Sequence, residues 1–429
     1  MCSSDLAVEG QIEEESLFHL RQGDLLGWLR RRLAQDGLVV SAAASFLAPE
    51  PEPELIVAAS VLAAAPLDSL EMQRVALNAC TANGLQSSRL PNQVIDSLLQ
   101  LGWLEQCEGF LAAAHDVVAD EVLAQVLWER GGGLRGHLLS PLLSLTLDHA
   151  RLLGRYAAAL TRLLGPETQE TEKEGELRQH ASTWLRDHAT ALGQSLVDTP
   201  TDLSAYAFGA VLAAPAWTDA CVSVWPDLLA PWLAKHGHRP EARHLLYRGL
   251  KEMPEGAASS LTQAALAWLG PHGRREEASY VLRPMLGRQD LTADDAQRAT
   301  RRAMDWLAEY PLIPDAQFVL SSLLGRQDLT ADDAQHAIRR AMDWLAKYPL
   351  IPDAQFVLNP LLGRQDLTAD DAQRAIRRAM DWLAKHPLIL EAQFVLNPLL
   401  GRQDLTADDA LRAIRRAMDW LAKHPLILE

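Results

Sequence analysis

From residue 287 onward, apolar positions recur at helical spacing in two alternating runs, separated by prolines and short polar loops. In the first run Ala296, Ala299, Ala303 and Leu307 share one face, where small side chains permit close helix packing. Thr292 precedes this run and is expected to cap it, with Asp294 and Asp295 in the first turn, where the helix dipole favours anions. Trp306 is expected to fill the space towards a paired helix. Pro311 stops the first helix, and Pro314 with Asp315 opens the second, through Phe318, Val319, Leu320, Leu323 and Leu324. Pro360 and Pro398 fall inside equivalents of that second helix, where a missing amide hydrogen should kink it; Ser322 takes the same place in an earlier copy.

The helix pair is a repeat, restarting at Gly287, Gly325, Gly363 and Gly401 with a period of 38 residues. Such a period marks an α-solenoid of TPR/HEAT-like helix pairs, in which no unit can bury its apolar face without its neighbours. Trp232 and Trp268 foreshadow Trp306, Trp344, Trp382 and Trp420, and Trp184 marks the most divergent copy, so about six units are expected over residues 174–429. Residues 325–362 differ from 363–400 only at His336/Arg374, Tyr348/His386, Pro352/Leu390 and Asp353/Glu391, which implies recent duplication. The last unit ends before its second helix, which reads as a fragment truncated at its C-terminus.

The N-terminal half is patterned differently. Residues 1–15 lack periodicity and read as a disordered or artefactual start, and residues 14–36 carry leucines near helical spacing around Gly23-Asp24. After Pro49, Pro51 and Pro53, two helical runs cover 54–82 and a third covers 90–101. Two short extended pieces then flank Glu108-Gly109, a hairpin turn signal. Helices followed by a small hairpin suggest a winged-helix module over 49–135, its last helix running from Val117 to Glu129 and ended by Gly131-Gly132-Gly133. Residues 136–173 form a helical connector, with a polar linker at Gly165 to Glu174. The expected fold class is therefore all-α with a minor β-hairpin wing: a winged-helix module followed by an α-solenoid.

Bulk properties narrow the function. The net charge of −16 argues against a nucleic-acid-binding face, which needs clustered cations. Cys2, Cys80, Cys107 and Cys221 lack metal-ligand spacing and read as reduced thiols of a cytoplasmic protein, and no signal peptide or membrane span is evident. The glycine run at 131–133 has no Gly-Lys-Ser/Thr after it and is read as a helix end rather than a phosphate loop. The pairs Arg301-Arg302, Arg339-Arg340, Arg377-Arg378 and Arg415-Arg416 read as a solvated face with local ion pairs such as Asp294 with Arg298. His386 and His424 occupy positions where Tyr310 and Tyr348 also stand, so they are not metal ligands. No catalytic set converges, and the chain itself is expected not to be an enzyme.

His115-Asp116, directly after the hairpin in Ala113-Ala114-His115-Asp116-Val117, resembles the Met-His-Asp element of STAND NTPases, the relatives of NACHT and plant resistance-receptor ATPases. Gln22-Gly23-Asp24-Leu25-Leu26 is more weakly similar to the Gly-x-Pro-Leu element ending that family's ATPase helical domain, with Leu25 in place of proline. The resemblance covers roughly residues 16–131 and makes 16–48 the end of an ATPase helical domain. It implies a regulatory and sensor portion of a nucleotide-switched signalling ATPase of bacterial defence, whose ATPase core would lie upstream. His115 would then sense an ADP phosphate, with ATP or ADP as cofactor of the longer protein and none in this piece. The solenoid would take a protein or peptide ligand, with self-association on activation, no nucleic acid and no membrane. The alternative expectation is a helical-repeat protein–protein interaction scaffold with no nucleotide role. A DNA regulator is a third, weakened because Ser88 to Gln93, at the would-be recognition helix, holds one basic residue, Arg89.

Overall fold

A computed structural model describes residues 31–33, 35–36, 53–65, 67–82, 84, 90–107, 109–114, 116–129, 133–147, 149–164, 172–214, 216–255, 258–387 and 389–424. The expected hairpin and all-α class are both present: among the described residues, helices are joined by one two-stranded hairpin. The chain divides into two compact units, Met1–His236 and Gly237–Glu429, so the division falls within the stretch expected to be one array.

In the first unit, α1 (Pro53–Ala64) is buried from Leu55 to Ala64, which fits its all-round apolar sequence, and it packs on α2 (Ser69–Ala82), α3 (Pro91–Gln100), α4 (Asp116–Leu127) and α6 (Ala150–Leu163). Helix α3 ends on Gly102 at φ 74°, with Trp103 N–H donating to Leu98 O and Gly102 N–H to Leu99 O, the paired bonds that close a helix through a left-handed residue. The hairpin follows, β1 (Leu104–Cys107) pairing antiparallel with β2 (Phe110–Ala113) in the register Leu104 to Ala113. Gly109 sits in its turn at φ 87°, a conformation that a side chain disfavours. Leu67 adds an antiparallel bridge to Leu111, and the Trp103 indole donates to Asp36 at 2.6 Å.

Helix α4 stops at Leu127, where the buried Arg135 closes it. The Arg135 Nη1 donates to Val126 O at 3.0 Å and Trp128 O at 2.5 Å. After α5 (Gly136–Ser144), the long α7 (Glu172–Asp198) packs against α9 (Thr218–Leu228) and α10 (Ala230–His236), with α8 (Thr201–Ala213) on α6. Gly193 permits the closest approach: a Cβ there would lie 2.4 Å from Asp227 O. Cys80 and Cys221 are free and buried, and burial pushes the Cys221 thiol up to about 12. Cys107, expected reduced, is disulfide-bonded.

The second unit is the repeat stack. Its first-position helices (A) are α12 (Ser259–His272), α14 (Ala293–Glu309), α16 (Ala331–Lys347), α18 (Ala369–Lys385) and α20 (Ala407–Lys423). Its second-position helices (B) are α11 (Ala242–Glu252), α13 (Ala278–Gly287), α15 (Ala316–Gly325), α17 (Gln355–Gly363) and α19 (Ala392–Leu400). Thr292, Thr330, Thr368 and Thr406 cap A helices by accepting the N–H of the aspartate three residues on, as the sequence implied. The B helices run through Pro284, Pro360 and Pro398 rather than ending there. Neighbouring B helices pack on one another far more extensively than neighbouring A helices do, which makes the B row the inner layer of the stack.

Candidate interaction face

Each repeat is fastened to the one before it by three side chains. The A-helix tryptophan is fully buried at Trp306, Trp344 and Trp382, and its indole N–H donates to a carbonyl 31 residues earlier: Arg275 O at 2.8 Å, Ile313 O at 3.0 Å and Ile351 O at 2.8 Å. Burying such a ring removes some 200 Å² of apolar surface, roughly 5 kcal/mol before entropy is charged.

Four residues on stands a tyrosine or histidine that leans on the indole, as in Trp344–Tyr348 and Trp382–His386, both with ring centroids 5.0 Å apart. Tyr348 Oη donates to Leu312 O at 2.9 Å and His386 Nε2 to Leu350 O at 2.9 Å. The two residue types interchange because each presents one ring donor to the same carbonyl.

The third fastener was not legible in the sequence. Arg288, Arg326, Arg364 and Arg402 follow the repeat glycines in polar loops, and Arg288, Arg326 and Arg364 are buried. The Arg364 Nη1 donates to Leu324 O and Arg326 O, both at 2.9 Å, while Nε and Nη2 grip Asp366 at 2.8 and 2.5 Å. Arg326 repeats the geometry on Leu286 O, Arg288 O and Asp328, and Arg402 on Leu362 O, Arg364 O and Asp404. The guanidinium thus takes up carbonyls that a helix end leaves without an intrahelical donor. These hydrogen bonds hold the Asp328, Asp366 and Asp404 carboxyls below their ordinary value, with burial opposing. The signal available was the recurrence of Gly-Arg-Gln-Asp-Leu-Thr in every loop.

With these groups consumed by the fold, a row of aromatic rings remains on the B helices. Tyr280, Phe318, Phe356 and Phe394 stand at equivalent positions; Tyr280, Phe356 and Phe394 are 54%, 42% and 48% exposed and Phe318 is half-buried. The Phe318 and Phe356 centroids are 6.1 Å apart, and the Arg283 guanidinium lies 4.5 Å over Phe318. His244 holds the equivalent place in α11, its pKa lowered by burial and then by Arg243, against Glu241. One helical turn further on stand Arg283, Ser321, Asn359 and Asn397.

His115, the one expected cofactor residue, lies outside the described residues, as does the segment around Gly23. The arginine pairs are exposed or half-buried on A helices, and Arg298 pairs with Asp295 at 3.4 Å and Asp294 at 3.9 Å, in keeping with a solvated face. Among the described residues, no group of three His, Cys, Asp or Glu is placed to hold a metal, and no helix is long and apolar enough to cross a membrane.

No family model matches the chain, and no curated protein does. Solved structures similar to it include APUM23 with its insert region deleted and GGAAUUGACGG, at 11% identity and TM-score 0.48 over 96% of each chain. APUM23 with GGAGUUGACGG matches at 9% identity and TM-score 0.42, again over 96% of each. The Puf3 RNA binding domain bound to Cox17 RNA matches at 11% identity and TM-score 0.39, over 72% of this chain and 89% of that one. These findings correct two expectations. The similar structures include an RNA binding domain bound to RNA and no nucleotide-switched ATPase, so the regulatory-and-sensor reading is withdrawn and its scaffold alternative is taken up in its place. The exclusion of nucleic acid as a partner is withdrawn for the same reason.

Proposed function

We propose that this chain is a helical-repeat interaction scaffold, holding an extended ligand along the B helices of its second unit. The observation that carries the reading is the exposed aromatic row. In a stack that buries its repeat tryptophans and supplies donors to its helix-end carbonyls, rings stay open on the inner layer at Tyr280, Phe356 and Phe394. Aromatic side chains deliver large contact area at small entropic cost, which is why they dominate binding surfaces. No catalytic step is assigned to the chain.

A second reading places single-stranded RNA, the partner of the Puf3 domain, on the same rings, because exposed π-faces accept unstacked bases. Selection on the immobilised chain from a random peptide library and a random single-stranded RNA pool tests both. Enrichment that disappears on Phe356→Ala/Phe394→Ala supports the scaffold. Enrichment from neither pool, or enrichment indifferent to the rings, refutes it.

A further inference from the structure

A second row runs beside the aromatic one. Glu277, Asp315, Asp353 and Glu391 each stand three residues before Tyr280, Phe318, Phe356 and Phe394. Glu277, Asp315 and Glu391 already have helical backbone, at φ −66°, −64° and −68°, and Asp353 lies in a 3₁₀ turn, Pro352–Ala354. At that spacing each carboxylate shares a helix face with its ring. Glu277, Asp353 and Glu391 are exposed and Asp315 is half-buried, and none of the four makes an ion pair or side-chain hydrogen bond among the described residues. The loop aspartates Asp290, Asp328, Asp366 and Asp404 are by contrast all bound to arginine. A helix dipole accounts for an acid at a helix start. It does not account for an aromatic ring one turn away in four successive repeats, open in three of them.

The face also shows what it accepts. Arg283 lays its guanidinium over Phe318, so an aliphatic stem with a cationic end already rests on this row. The 6.1 Å between the Phe318 and Phe356 rings is close to the two-residue step of an extended chain, about 6.6 Å. Across this pair, every second side chain of a β-strand would therefore meet a ring. RNA fits less well on two counts. Its phosphates would run beside an unneutralised acidic row. The Phe318 and Phe356 rings stand at a 46° tilt instead of opening a parallel slot for a base.

We infer that the partner of this face is an extended cationic polypeptide segment, with arginine or lysine meeting the carboxylate row and apolar side chains between them lying on the rings. The inference rests on the scaffold reading above and adds the chemistry of the ligand to it. In the test, fluorescence anisotropy is measured on the whole chain with four labelled probes of about 12 residues or nucleotides, long enough at ~3.3 Å per residue to cover several rings. One peptide alternates arginine with valine, a second glutamate with valine, a third arginine with serine, and the fourth probe is a mixed-sequence single-stranded RNA.

The arginine–valine peptide should bind best and weaken with salt. Its affinity should fall about 3- to 10-fold in Asp353→Asn/Glu391→Gln, the range expected for two partly screened charge contacts, and at least as far in Phe356→Ala/Phe394→Ala. Asp343→Asn/Asp381→Asn, exposed on A helices, should leave it unchanged. An equal loss in that control pair would mean unspecific attraction to an acidic protein and overturn the inference. Ring-dependent preference for the RNA, the glutamate peptide or the arginine–serine peptide would overturn the cationic apolar ligand while sparing the scaffold. Failure of all four to bind through the rings would sink both.

Discussion

Replacing Arg364 with alanine tests whether the repeats are held together by their buried guanidinium groups. The side chain is 4% exposed and donates to Leu324 O and Arg326 O at 2.9 Å, so Arg364→Ala strands two carbonyl oxygens at the junction between consecutive repeats. Each buried acceptor left without a donor costs about 1–3 kcal/mol, which puts the loss at roughly 2–6 kcal/mol. Asp366 adds little to that figure, because its side chain is 50% exposed and water replaces the lost partner. Arg377, exposed on α18, serves as the comparison, and Arg377→Ala should stay within about 0.5 kcal/mol. Arg364→Lys should fall between the two, since an ammonium keeps the charge without the planar fork that serves carbonyls and carboxylate together.

Urea unfolding followed by tryptophan fluorescence gives the comparison directly. Because a repeat stack need not unfold in one step, amide exchange at α15 and α17 should be read alongside it. Exchange should accelerate there before it does at α12. If Arg364→Ala proves no more damaging than Arg377→Ala, the arginine is not a fastener, and the stack is held by its apolar core and tryptophans alone.

Trp382→Phe should cost about 2–3 kcal/mol, because it combines a smaller ring in a closed core with an unpartnered Ile351 O, and the loss is measurable in the same urea titration. Thr368→Ala removes the acceptor for the Asp371 N–H and should cost about 1 kcal/mol, with α18 fraying first in amide exchange. The folded pKa values of Asp328, Asp366 and Asp404 lie below their unfolded ones, so their contribution is present above the unfolded value and is lost as pH falls through the folded one. Urea midpoints should therefore hold steady down to about pH 4 and decline below it, and Asp366→Asn should reduce that decline. Gly193→Ala places a Cβ 2.4 Å from Asp227 O, where neither backbone can yield cheaply, and should lower the melting temperature of the first unit by several degrees.

The sequence by itself determined the repeat, its period and its local punctuation. Threonine caps, the prolines that stop A helices and the hairpin turn at Gly109 depend on nearest neighbours along the chain, so they are written in residue order. The exchange of Tyr348 for His386 at equivalent positions was also legible in residue order. Tertiary structure alone decided the rest. An arginine after a glycine looks solvated until the end of the preceding repeat, some 40 residues back, offers it two carbonyls. Phe356 looks like core until stacking shows its B helix already buried through Val357, Leu358, Leu361 and Leu362, which leaves the ring outside. Which polar groups are spent on the fold and which stay free for a partner depends on contacts between repeats. The order of residues within one repeat does not contain them.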